Sequence, residues 1–156
     1  MKKVLFVCAL LCATAMQAQQ YMRVWQAGES TRYEQTTIDY SNGGGTITVA
    51  GQSYATDKVD SITIVKTIFV NWDGSTATVA VPESAQPYIT VSVTGGHVVL
   101  TNTNVSEEME FVLSGSSSNG SLTYNGQYKC KFHLNGVNLT SGVGGAMNIL
   151  CGKRVD

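Results

Sequence analysis

The chain has 156 residues, with ten basic and eleven acidic side chains and a net charge of −1. It has no basic block and no aromatic residues interleaved with basic ones, which argues against nucleic acid as a partner. Charged residues make up 13% of the chain, against 16 glycines and two prolines, a balance that suits one secreted β-rich domain with many turns.

Met1-Lys2-Lys3 is a basic start, residues 4–15 are mostly apolar, and Ala18 places a small residue ahead of Gln19. This is the pattern of a secretory signal peptide over residues 1–18. The run is too short for a membrane-spanning helix. A lipoprotein would need a small residue directly before the modified cysteine, whereas Cys8 follows Val7 and Cys12 follows Leu11. Cleavage removes Lys2 and Lys3 and leaves a mature chain from Gln19 to Asp156, with eight basic against eleven acidic side chains. The expected location is secreted, periplasmic or at a bacterial cell surface.

Residues 19–64 read as a β-rich leader. Strands are expected over 21–25 and 32–40, with a turn at Ser41-Asn42-Gly43-Gly44-Gly45. A hairpin is expected where residues 46–49 and Ser53-Tyr54 flank Ala50-Gly51-Gln52. A long β-prone run then leads from Lys58 to Trp72. Asp73-Gly74 turns it back into residues 76–81, and Pro82 ends that strand. The boundary between the leader and the next unit, residues 65–156, is expected at 65–70.

The second unit repeats. Met109-Glu110-Phe111-Val112-Leu113-Ser114-Gly115 recurs as Cys130-Lys131-Phe132-His133-Leu134-Asn135-Gly136, with the step from Phe111 to Phe132 kept throughout. The same step forward from Cys130 lands on Cys151 and runs on to Asp156. A step shorter by one, taken back from Phe111, lands on Val91 in Val91-Ser92-Val93-Thr94-Gly95. Self-similarity at a period of roughly 20 residues, in alternating segments, points to a β-solenoid whose coils stack. The alternation predicts inward columns Met109-Cys130-Cys151, Phe111-Phe132 and Leu113-Leu134-Val155. It places Glu108 beside Lys129 and Glu110 beside Lys131 on the outer face, as ion pairs of about 0.2–1 kcal/mol each. Residues 122–124 and 137–139 are expected to form short second strands. Gly115 and Gly136 mark the corners, where positive φ carries no Cβ penalty.

Cys130 and Cys151 are the cysteines left after cleavage, one repeat apart. A strand spacing of about 4.8 Å fits either a stacked pair of buried thiols or an oxidised bridge. A two-cysteine metal site lacks further ligands at suitable spacing. The chain stops in mid-coil at Arg154-Val155-Asp156 with no polar cap, so the second unit is expected to be incomplete.

The residues from about Phe69 onward resemble a family of secreted bacterial carbohydrate-binding β-helix proteins. Asn71-Trp72-Asp73-Gly74-Ser75-Thr76, Glu110 to Ser121, Leu134 to Thr140, and Gly145 to Asn148 with Cys151-Gly152-Lys153-Arg154 carry the likeness. Val24-Trp25-Gln26-Ala27-Gly28-Glu29 with Val59-Asp60-Ser61-Ile62 is similar to the leaders of secreted Bacteroidetes proteins. The resemblance implies an all-β fold: a β-hairpin leader followed by the first coils of a right-handed parallel β-helix, related in shape to pectate lyases. It also implies binding of plant-type or acidic polysaccharide, with calcium as a possible cofactor.

The expected function is a non-catalytic carbohydrate-binding protein. Trp72 is a candidate sugar platform, as is Trp25, and Lys129, Lys131 and Arg154 are candidates to meet uronate carboxylates. The alternative is a structural or adhesive surface protein without a small ligand. A polysaccharide lyase would need calcium carboxylates and a base to abstract a proton. Asp39, Asp57, Asp60 and Asp73 are scattered instead, and His97 and His133 lack partners nearby in sequence.

Overall fold

The computed structural model describes residues 20–34 and 37–156; the expected signal peptide lies outside them. The chain opens with a hairpin of β1 (Gln20–Gln26) and β2 (Glu29–Glu34), which turns at Ala27-Gly28. β3 (Ile38–Ser41), β4 (Thr46–Val49) and β5 (Gln52–Ala55) form an antiparallel sheet. Ala50 and Gly51 join β4 to β5 with φ of 50° and 78°, the left-handed pair that a two-residue hairpin loop requires.

The strand that joins the parts is β6 (Ser61–Asp73), which runs unbroken through the boundary expected at 65–70. Its first half pairs antiparallel with β1, Ile62 opposite Val24. Its second half pairs antiparallel with β7 (Thr76–Ala80) on one edge and parallel with β10 (Met109–Ser117) on the other. β12 (Cys130–Leu139) lies parallel to β10, so the sheet runs β12-β10-β6-β1-β2 with β7 beside β6. A four-stranded sheet runs β13 (Met147–Cys151), β11 (Gly120–Gly126), β9 (Gly96–Asn102), β8 (Ile89–Thr94).

The fold is all-β, but the expected right-handed parallel β-helix is not what the chain builds. The sheets mix parallel and antiparallel strands and curl into a half-barrel. The turns supply the reason. A solenoid carries the chain onward in one sense, whereas the tight reversals at Ala27-Gly28, Gly74-Ser75 and Gly95 leave neighbouring strands antiparallel. Among the described residues, parallel strand pairing is confined to β6-β10, β10-β12, β9-β11 and β11-β13, with one isolated parallel bridge from Cys130 to Val155.

The repeat step holds between β10 and β12. Phe111 stands opposite Phe132 and Glu110 opposite Lys131, and the two phenyl rings stack with centroids 5.0 Å apart. The flanking steps do not follow. Val91 lies on β8 in the other sheet, and the strand before β10 in the stack is β6, with Ile68 opposite Phe111. Cys151 pairs with Gly126, and Val155 bridges to Cys130 rather than to Leu134. Residues 137–139 continue β12 instead of forming a second strand. In the four-stranded sheet the step is longer, since Leu122 stands opposite Met147. The loop ahead of β13 lengthens that winding and shifts the register beyond it.

One face of the six-stranded sheet is closed. Ile68, Val70 and Trp72 of β6 and Met109, Phe111 and Leu113 of β10 pack against Val98, Leu100, Leu122 and Tyr124 of the four-stranded sheet. Burial of such side chains stabilises by about 1.5–3 kcal/mol each. By the alternation of β6, the same face carries Ile62, which with Met22 and Val24 packs against Ile38, Val49 and Tyr54 of the three-stranded sheet. The opposite face of the long sheet is left uncovered by either.

Candidate functional site

The uncovered face collects the side chains that alternate with the core. Tyr21, Arg23 and Trp25 of β1 alternate with the buried Met22 and Val24. Glu110 and Val112 alternate with Met109, Phe111 and Leu113, and Lys131, His133 and Asn135 stand beside them on β12.

Glu110 is the anchor of this face. Its side chain is 1% exposed, yet three cationic or potentially cationic groups from three strands converge on it. Arg23 donates to Oε1, His133 Nε2 lies 3.2 Å from Oε2, and Arg32 Nη1 lies 3.9 Å from Oε2. In a flat sheet β2 and β10 would be three spacings, roughly 14 Å, apart. The curl of the sheet brings the guanidinium of Arg32 within reach. Thr67 stands opposite Glu110 on β6; it is fully buried, and its Oγ1 has no hydrogen-bond partner among the described residues.

Two grooves flank this anchor. The first, about 530 Å³, is bordered by Arg23, Trp25, Thr63, Glu107, Glu108 and Glu110. Its carboxylates are matched: Glu107 pairs with Lys66, Glu108 with Lys131 at 3.9 Å, and Glu110 with Arg23. The second, about 440 Å³, has Phe69, Val112 and Leu134 as apolar lining, with Tyr21, Arg32, His133 and Asn135 around them. Here the guanidinium of Arg32 lies over the ring of Tyr21, 3.5 Å from its centroid. Such a contact contributes about 0.5–1 kcal/mol at an exposed site. It holds the guanidinium flat against the ring, while 35% of the side chain stays exposed.

The residues nominated from sequence do not converge. Trp72 is buried, 2% exposed, and its Nε1 donates to the Gly96 carbonyl at 2.7 Å, so no ring face is open to a sugar. Lys129 is exposed, 5.8 Å from the ring of Tyr128. Arg154 pairs with Asp156 at 2.9 Å beyond the end of β13. Lys131 borders the open face, but its ion pair is with Glu108, not with its register neighbour Glu110. Trp25 is half-buried and donates from Nε1 to Thr63 Oγ1 at 3.2 Å.

Among the described residues no three His, Cys, Asp or Glu side chains come together as metal ligands. Asp60 accepts from the Gly28 N–H and Asp57 pairs with Lys58, both in the leader. His97, without a partner in the sequence reading, hydrogen-bonds Ser121 at 2.9 Å across the β9-β11 ladder.

Tyr21, Arg23 and Arg32 were missed as site residues because they belong to the leader. The available signal was the alternation Tyr21-Met22-Arg23-Val24-Trp25, which sets two aromatics and an arginine on one face. Comparison with protein-family models, with curated proteins and with solved structures finds no match for the chain.

Proposed function

We propose that this chain is an exported, non-catalytic carbohydrate-binding protein, and that its ligand is an acidic polysaccharide held in the groove beside Arg32. One observation carries the reading: a guanidinium stacked on an aromatic ring, only loosely engaged by its own carboxylate, above an apolar lining. A uronate residue presents the matching chemistry. Its carboxylate accepts paired N–H bonds from the arginine fork, and its C–H face lies on Phe69, Val112 and Leu134. Asn135 and His133 offer polar atoms to the hydroxyls. Arg23 does not serve in this way, because Glu110 engages it.

The test is calorimetric titration of the protein with oligogalacturonate and with a neutral β-glucan oligosaccharide, at low and high salt, with and without chelator. The acidic oligomer is expected to bind, more weakly as salt rises. Arg32→Ala should weaken binding about tenfold to a hundredfold, the worth of a charge-assisted hydrogen bond. Equal binding of the neutral glucan, or no effect of Arg32→Ala, would sink the acidic-sugar reading. Growth of unsaturated-uronate absorbance on incubation would replace binding with lyase chemistry. No binding under any condition would favour a structural or adhesive surface protein.

A further inference from the structure

Cys130 and Cys151 are both free thiols. Cys130 opens β12 in the six-stranded sheet and is 1% exposed. Cys151 closes β13 in the four-stranded sheet. The Cys151 thiol donates to the Tyr128 carbonyl, two residues before Cys130, at 3.1 Å. It packs against the core cluster that contains Cys130 and Tyr124. Cys151 also lines an open groove of about 450 Å³ with Asn125, Gly126 and Leu150, so a small reagent can approach it from solvent. The pair therefore combines one accessible sulfur with one enclosed sulfur, at the point where two sheets meet.

We propose that Cys130 and Cys151 form a disulfide, by exchange with a small-molecule disulfide of the oxidised-glutathione type, that locks the two sheets together at their open ends. The Cys151 thiolate attacks the reagent's S–S bond, forms a mixed disulfide and releases one thiolate. Cys130 then loses its proton, and its thiolate attacks Cys151 Sγ and displaces the second thiolate. Two protein thiols are oxidised, one small disulfide is reduced to two thiols, and the two protons pass to the leaving thiolates. Burial pushes the Cys130 thiol up to about 12, so closure is the slow step. Its rate should rise about tenfold per pH unit below that value, as the thiolate fraction does.

The experiment uses the full chain in a Cys8→Ala/Cys12→Ala background, so that no other thiol contributes. After incubation with oxidised glutathione, intact mass should fall by about 2 units, with a 130–151 link in non-reducing proteolytic mapping. Tm should rise by about 5 °C relative to the reduced protein. Adding Cys151→Ser should abolish both changes while leaving the reduced Tm within a few degrees. A stable glutathione adduct on Cys151 with Cys130 still free would overturn the proposal. Disulfide-linked dimers, or a closed bridge that lowers Tm, would do the same.

Discussion

At the scale of single residues, the governing feature is a buried carboxylate at the meeting point of strands remote in sequence. Glu110 is 1% exposed, and Arg23, which pairs with it, is itself mostly shielded at 17%. A buried pair is costly to break from one side because the surviving charge is left without a counter-ion. Glu110→Gln is therefore expected to destabilise the fold by about 3 kcal/mol in urea denaturation. Glu110→Gln combined with Arg23→Met should cost clearly less than the sum of the two single changes. Strict additivity would show that the two side chains act independently.

The pairing of Glu110 with Arg23 was not legible in the sequence. Alternation placed Glu110 opposite Lys131, and the ladder bears this out. Register fixes backbone neighbours, whereas an ion pair follows where long side chains can reach. Arg23 reaches Glu110 because the sheet folds over, and Lys131 turns to Glu108 instead.

At the scale of elements, two glycines one repeat apart, expected at corners, lie instead inside the continuous strands β10 and β12, under different constraints. Gly115 and Gly136 both have positive φ, 82° and 67°. A Cβ at Gly115 would lie 2.0 Å from the Trp72 carbonyl oxygen, while at Gly136 it meets nothing within 4 Å. The ladder register with β12 shifts between Ser114 and Ser116, where β12 carries the extra residue at Gly136-Val137, while Gly115 keeps unbroken register with Trp72 on β6. Gly136→Ala should cost about 1 kcal/mol, the left-handed penalty alone. Gly115→Ala should cost roughly 3 kcal/mol or more, because backbone must move as well. Equal losses in thermal denaturation would refute the close approach. The positive φ at both glycines was readable from the repeat. The difference between them was not, since it depends on β12 lying outermost while β10 is enclosed by neighbours on both edges.

At the scale of the whole molecule, the core between the six- and four-stranded sheets holds two groups that favour their protonated forms. Burial raises the Tyr124 hydroxyl above its ordinary 10.0 and lifts the Cys130 thiol from 9.0 to about 12. In the unfolded chain both ionise at lower pH than in the fold. The stability they contribute is therefore complete below about pH 9 and is lost as pH rises towards the folded values. Unfolding free energy should fall between pH 9 and 11, by at most about 1.4 kcal/mol per pH unit for each group. Cys130→Ala, compared with itself across pH, should show a shallower fall. A flat profile in the parent protein would contradict the burial of these groups.

The sequence by itself determined the all-β character, the inward face of β10, its register with β12 from Met109 to Ser114 and the stacking of Phe111 on Phe132. These follow from period-2 alternation and turn chemistry, which act over a few residues. Leu134, expected inward, is instead 63% exposed. Only the tertiary structure decided that the long strand β6 belongs to leader and stack at once, pairing with β1 in its first half and with β10 in its second. It also decided that the N-terminal hairpin curls over to reach Glu110. Those outcomes rest on which strand edges pair and how strongly the sheet twists, and both depend on contacts between segments far apart along the chain.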